Sequence, residues 1–211
     1  MSQLDFIYKR HSVRSFKEEE VPLNDIKEII KAATYAPSGK NSQNWHFVVV
    51  KNKAKIEKMA KAIEIKNEEL ASQIEDQDII DNFKRYLKYA TVFKNAPVTI
   101  LIYTKAYPVT GLNVLRELGA STKEIHKLLR PAPGIQNIGA AIENLMLAAA
   151  NMGYGTCWMT SPNYAAQEIS EVIEFNKEDY FLAAITPLGI PAGEVKSPPR
   201  KDVDEVMTIV E

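Results

Sequence analysis

Residues 134–152 are apolar almost all round: Ile138, Ala140, Ala141, Ile142, Leu145, Met146, Leu147, Ala148 and Ala149 leave hardly any polar face. A helix of that kind needs neighbours on every side and belongs at the centre of its fold. Gly139 and the alanines let those neighbours come close, and Gly153-Tyr154-Gly155 stops the helix. The apolar run 139–150 is interrupted by Glu143 and Asn144 and is too short to span a bilayer. A soluble, cytoplasmic protein wrapped around one buried helix is expected.

The segments that would wrap it are legible from their periodicity. Residues 2–9 read as a short helix through Leu4, Ile7 and Tyr8. Pro22 opens a better one, with Leu23, Ile26, Ile29, Ile30 and Ala33 as its stripe, ending near Ala36-Pro37-Ser38-Gly39. Residues 45–51 and 97–103 are short, β-branched runs apolar on both faces, the pattern of buried strands. Between them, 53–93 reads as two amphipathic helices broken near 76–78. Residues 105–133 carry Pro108, Gly111, Gly119, Pro131 and Pro133 around short helical pieces, a surface excursion of the sort that often forms a lid. A third strand is expected over 156–160, a helix over 164–175 and a fourth strand over 180–190. The tail 203–210 alternates and is rich in Val206, Thr208, Ile209 and Val210, so it should pair with a sheet edge in its own chain or in a partner. Together these predict an α+β fold: a mixed sheet covered by helices on both faces, in three layers. The 211 residues suffice for one domain with a sizeable core, and 1–211 is read as a single unit.

The charge pattern is local. The net charge is −1, which gives no overall footprint for nucleic acid or an anionic membrane. Yet Lys9-Arg10-His11-Ser12-Val13-Arg14-Ser15-Phe16 is basic, and in an extended segment Arg10, Ser12 and Arg14 share one face. Two guanidinium forks and a hydroxyl suit a phosphate, each charge-assisted bond being worth roughly 1.5–3 kcal/mol. A solvated basic run is the alternative.

Three further segments offer polar groups. Ala36-Pro37-Ser38-Gly39-Lys40-Asn41-Ser42-Gln43-Asn44-Trp45 joins a helix to a strand, either as a plain turn or as a set of donors and acceptors for a polyhydroxyl chain or heteroaromatic edge. Met159-Thr160-Ser161 falls where a strand ends and a backbone amide can meet a ligand. Lys196-Ser197-Pro198-Pro199-Arg200-Lys201 is either a solvated linker or a further cation for the phosphate.

Other chemistries find little support. His11, His46 and His126 lack metal-ligand spacing, so no metal site is expected, and His46 reads as a packed histidine. No Walker loop or nucleophile elbow is present. The single cysteine, Cys157, excludes an intrachain disulfide and reads as a small buried hydrophobe. No acid–base pair stands out, which points to a borrowed reactive group.

These segments, in this order, resemble the FMN-dependent nitroreductase family. The likeness rests on Arg10 to Phe16, Ala36 to Phe47, Asn144-Leu145-Met146-Leu147-Ala148-Ala149, Gly153 to Trp158, Leu188-Gly189-Ile190-Pro191 and Arg200. It implies a homodimer with a domain-swapped C-terminal tail and two FMN molecules at the subunit interface. Arg10, His11, Ser12 and Arg14 would then form the motif that holds phosphate, ribityl or ring edge, assisted by Arg200. Pro37, Ser38, Gly39 and Asn41 would reach the flavin from the other subunit, and Thr160 or Ser161 would lie near its N5. The implied reaction takes a hydride from NADH or NADPH and passes electrons to a nitroaromatic, quinone or related small acceptor. Reductive dehalogenation, enal reduction, flavin reduction and flavin binding without catalysis are the alternatives on the same fold. Three departures stand out: His11, where relatives carry arginine or a small residue; Asn137, where aspartate is frequent; and Pro162, which has no amide hydrogen, so that any donor to N5 comes from an earlier residue.

Overall fold

The computed structural model describes residues 3–195 and 197–211. Among these residues four strands form one sheet in the order β1-β2-β4-β3: β1 Trp45–Val50, β2 Val98–Lys105, β3 Gly155–Thr156 and β4 Tyr180–Gly189. Every ladder is antiparallel, with Val50 opposite Thr99, Val98 opposite Leu188 and Gly155 opposite Gly189. The mixed character expected of the sheet comes down to one isolated parallel bridge, Ser12 to Thr156, at its edge.

Strand β2 shows why its sequence is apolar without alternation. Ile100 and Ile102 pack into one core, whereas Leu101 and Tyr103 pack into another on the opposite face. The first core is closed by α2 (Leu23–Thr34) and α7 (Pro133–Asn151) through Ile26, Ile29, Ile138, Ile142 and Leu145. The second is closed by α3 (Lys53–Ala71), the 3-10 turn Val92–Asn95 and α8 (Ala166–Val172) through Ile56, Met59, Ile63, Phe93 and Ile169. Two buried faces make three layers, with the all-round apolar α7 inside, as its composition demands.

The ends of α7 follow simple rules. Pro133 occupies its first turn, where a missing N–H costs nothing. Gly153 follows at φ +84°, and the Tyr154 amide donates back to the Ala149 carbonyl at 2.8 Å. The break between α3 and α4 (Gln77–Ala90) is made by Asp76, whose carboxylate caps the amides of Asp78 and Ile79. The 105–133 excursion contains α5 (Leu112–Glu117) and α6 (Thr122–Leu129).

Four elements differ from the sequence reading. The first helix is only one turn, α1 Asp5–Tyr8. The third strand is shorter than 156–160; past Thr156 it persists only as a bridge from Met159 to Ile185. The helix expected over 164–175 is a 3-10 turn Ser161–Ala165 running into α8. The tail is not a strand. Residues 203–205 form a 3-10 turn capped by Asp202 and Glu205, and 197–211 are exposed throughout. No helix among the described residues is long and apolar enough to cross a membrane.

Candidate cofactor site

The basic segment is seated on the edge of the sheet. Its Val13 amide donates to the Thr156 carbonyl at 2.8 Å, and the Val13 side chain is buried against Gly155. The fit needs a glycine there, because a Cβ on Gly155 would lie 2.6 Å from Val13 Cγ2. With Val13 facing inward, the alternation of an extended chain turns Ser12 and Arg14 the other way. Arg14, Ser12 and Arg10 all act on the buried Cys157 thiol of the neighbouring strand end, each drawing its pKa down. Burial pushes the Cys157 thiol up, against the opposing pull of Arg14, Ser12 and Arg10. The three side chains singled out by their spacing thus all act on one buried thiol.

Arg10 is held by Glu143 of α7, its Nε 3.5 Å from the carboxylate. Arg14 Nη1 donates to the Ser12 carbonyl at 3.4 Å. His11 behaves differently: its Nδ1 lies 2.6 Å from the Ser197 hydroxyl, which ties the start of the tail to the basic segment.

Beside this cluster is a cavity of ≈ 510 Å³, within the roughly 300–1,000 Å³ of small-molecule sites. Arg14, Cys157, Trp158, Met159, Thr160 and Ser161 form one side, and Arg85, Tyr86, Lys88 and Tyr89 of α4 form the other. Thr160 and Ser161 are exposed, and among the described residues their amides donate to no other group of the chain. The backbone just before them is fixed by two 2.9 Å bonds between Met159 and Ile185. A larger cleft of ≈ 700 Å³ lies near Lys17, Glu18, Glu20, Lys51 and Lys53, but its charges neutralise one another, as in the 2.7 Å pair of Lys51 with Glu20.

The polar loop is well ordered but elsewhere. Asn137 Oδ1 accepts from the Gly39 amide at 3.2 Å, while Asn137 Nδ2 donates to Asn44 Oδ1 at 2.9 Å and Ser42 Oγ at 3.1 Å. The Gln43 amide donates to Ser38 Oγ, and the Gln43 side chain to Asn41 Oδ1. Gly39 lies against Tyr107, whose hydroxyl a Cβ there would overlap, and Lys40 Nζ donates to the Pro108 carbonyl at 3.1 Å. Pro37, Gly39 and Asn41 remain exposed. Among the described residues none of the loop's hydrogen bonds goes to residues 10–14. Arg200 is exposed in the tail and, among the described residues, forms no ion pair. One chain thus assembles the basic cluster with Thr160 and Ser161, and leaves the loop and Arg200 outside that assembly.

Sequence reasoning missed the α4 wall and Glu143 as the anchor of Arg10. The interleaved cations and tyrosines of Arg85, Tyr86, Lys88 and Tyr89 were the available signal. His46 is a packed residue as expected: its ring stacks on Phe175 at 5.3 Å, and burial followed by the charge of Lys177 holds its pKa below the ordinary histidine value.

A family model, the nitroreductase family, matches residues 7–190, from the basic segment through the last strand. The chain belongs to the nitroreductase family. A solved BluB-like flavoprotein from Clostridium difficile 630 is 43% identical, covers 100% of both chains and superposes with a TM-score of 0.92. An iodotyrosine deiodinase of Hydra vulgaris is 29% identical over 94% of this chain and 69% of its own length. A nitroreductase with bound FMN from Bacteroides fragilis NCTC 9343 shares the fold at a TM-score of 0.71, with 21% identity and all of both chains covered.

Proposed function

We propose that this chain is an FMN-dependent oxidoreductase of the cytoplasm. It takes electrons from NADH or NADPH, delivers them to nitroaromatics, quinones or related small acceptors, and works as a homodimer. The observation that carries this reading is the seating of the basic segment on Thr156 at the sheet edge, beside a cavity walled by Arg14, Thr160 and Ser161.

The donor set suits FMN. Guanidinium forks and a hydroxyl match phosphate or ring carbonyl oxygens, and the free Thr160 and Ser161 amides match a ring nitrogen. When bound, FMN supplies a ring able to accept a hydride and pass its electrons on, which accounts for a site with no acid–base pair. Within that site the chain's own residues position and polarise. Glu143 orients Arg10 from the central helix. Arg14 places a fixed positive charge in the cavity wall, which favours negative charge on a reduced ligand. Because Pro162 has no N–H, the Thr160 or Ser161 amide is the donor from this turn. Trp158, Tyr86 and Tyr89 give the cavity apolar walls that displace water.

The dimer supplies what one chain leaves apart. In this reading Pro37, Ser38, Gly39 and Asn41 reach the partner's cofactor, Arg200 adds a cation, and His11 secures the tail through Ser197 as it leaves for the partner. Exposed Ile209 (71%) and Val210 (91%) support a tail that finds its apolar contacts on a second copy.

The purified protein's visible spectrum tests this reading. Bound oxidised flavin, bleached anaerobically by NADH or NADPH and restored by a nitroaromatic or quinone, supports it. A protein that neither carries nor takes up FMN, or whose flavin neither nicotinamide reduces, refutes it.

A further inference from the structure

The α4 wall of the cavity carries cations that have no ion-pair partner among the described residues. Nearby lysines are matched with carboxylates: Lys66 with Glu69 and Glu168, Lys84 with Glu68, and Lys94 with Glu64. Among the described residues, Arg14, Arg85 and Lys88 form no ion pair, and all three line the cavity. Among the described residues no carboxylate is in that lining. Arg85 Nη2 donates instead to the neutral Asn82 Oδ1 at 2.7 Å, which orients its fork, and Lys88 Nζ rests 5.1 Å from the centre of the Tyr89 ring. The aromatic side chains around them are open: Tyr86 is 56% exposed, Tyr89 45% and Trp158 41%, with the two tyrosine rings 6.0 Å apart. Meanwhile the other face of α4 is committed to packing, with Ala90 buried and Phe83 edge-on to Tyr164.

We propose that Arg85, Tyr86, Lys88 and Tyr89 form a subsite for the electron acceptor that selects a flat aromatic ring bearing a fixed negative charge, such as an aromatic carboxylate. The proposal rests on the flavin reading above and names its substrate class. The rings offer stacking surface for an aromatic body. The two unpaired cations offer charge-assisted bonds to a carboxylate. An α-amino acid is a poorer match, because its ammonium finds no carboxylate in the lining and meets three positive charges instead.

The test titrates the FMN-loaded protein with three probes of similar ring size: 4-nitrobenzoate, 4-nitrobenzyl alcohol and 4-nitrobenzylamine. Binding is read from the flavin's visible absorption and from calorimetry, at low and high salt. The expected result is that the anion binds about tenfold more tightly than the alcohol, the effect of one partly exposed charge-assisted contact, with the amine weakest. Salt should shrink the difference. In the double variant Arg85→Gln, Lys88→Gln the anion and alcohol should bind within about twofold of each other while flavin content stays at the wild-type level. A flavin-loaded protein indifferent to probe charge, or a variant that keeps the anion preference, overturns this proposal alone. Loss of flavin in the variant also overturns it, by assigning the α4 cations to the cofactor. A wild-type chain that takes up no FMN overturns the flavin reading and this proposal with it.

Discussion

Replacing Gly155 by alanine attacks the joint that seats the basic segment. The new Cβ would lie 2.6, 2.7 and 2.8 Å from Val13 Cγ2, Cβ and Cγ1. Carbon atoms in contact settle at about 3.5–4.0 Å, so the two residues must separate by roughly 1 Å. Val13 has little room to yield, since it is β-branched, 4% exposed and packed with Phe16 and Ala96. The displacement therefore falls on the backbone and on the 2.8 Å bond from the Val13 amide to Thr156. Overpacking of this kind costs about 1–3 kcal/mol. At about 2–4 °C per kcal/mol for a chain of this size, Tm should fall by about 2–12 °C. Ser12 and Arg14 flank Val13, so FMN affinity should fall as well. Thermal unfolding and FMN titration of Gly155→Ala, Val13→Ala and the double variant check this. The double variant should recover part of both losses, because the second change removes the clash the first creates. Wild-type Tm and FMN affinity in Gly155→Ala would refute the reasoning.

Asn137→Asp removes the donor that Asn44 Oδ1 and Ser42 Oγ share, and sets a carboxylate against the Asn44 oxygen. A stability loss of about 1–3 kcal/mol is expected, measured by denaturant unfolding. Tyr154→Phe removes the 2.5 Å bond to Asp25 that joins the end of α7 to the start of α2, and should cost about 1 kcal/mol by the same measurement. That bond also predicts an alkaline response, because the Asp25 carboxylate pushes the Tyr154 phenol up to about 12. A raised folded-state pKa gives stability that is present in full below the unfolded value of about 10 and lost as pH rises through about 12. The wild-type advantage over Tyr154→Phe should accordingly narrow above pH 10.

The layers were readable because burial on both faces leaves uninterrupted apolar runs, as in β2, and because α7 has almost no polar side. The alternation of the basic segment was readable because it has a two-residue period, and Val13 between Ser12 and Arg14 keeps that period in register with the sheet edge. What the sequence concealed depends on tertiary placement. The approach of α4 to Met159–Ser161 comes from helix packing across distant segments, so the interleaved cations and tyrosines of α4 mark a polar aromatic face without saying what it faces. Glu143 was visible only as a break in an apolar run, yet it orients Arg10. The tail's alternation suggested a strand, but a strand needs an edge, and in the single chain residues 203–205 turn instead.

The central claim is that Arg10 and Arg14 grip the cofactor, and an FMN titration of the flavin-stripped protein tests it most directly. The wild type and Arg10→Ala, Arg14→Ala should differ by at least about 100-fold in Kd, the result of losing two charge-assisted contacts worth no less than about 1.5 kcal/mol each. Equal affinity in a variant that remains folded would contradict the account.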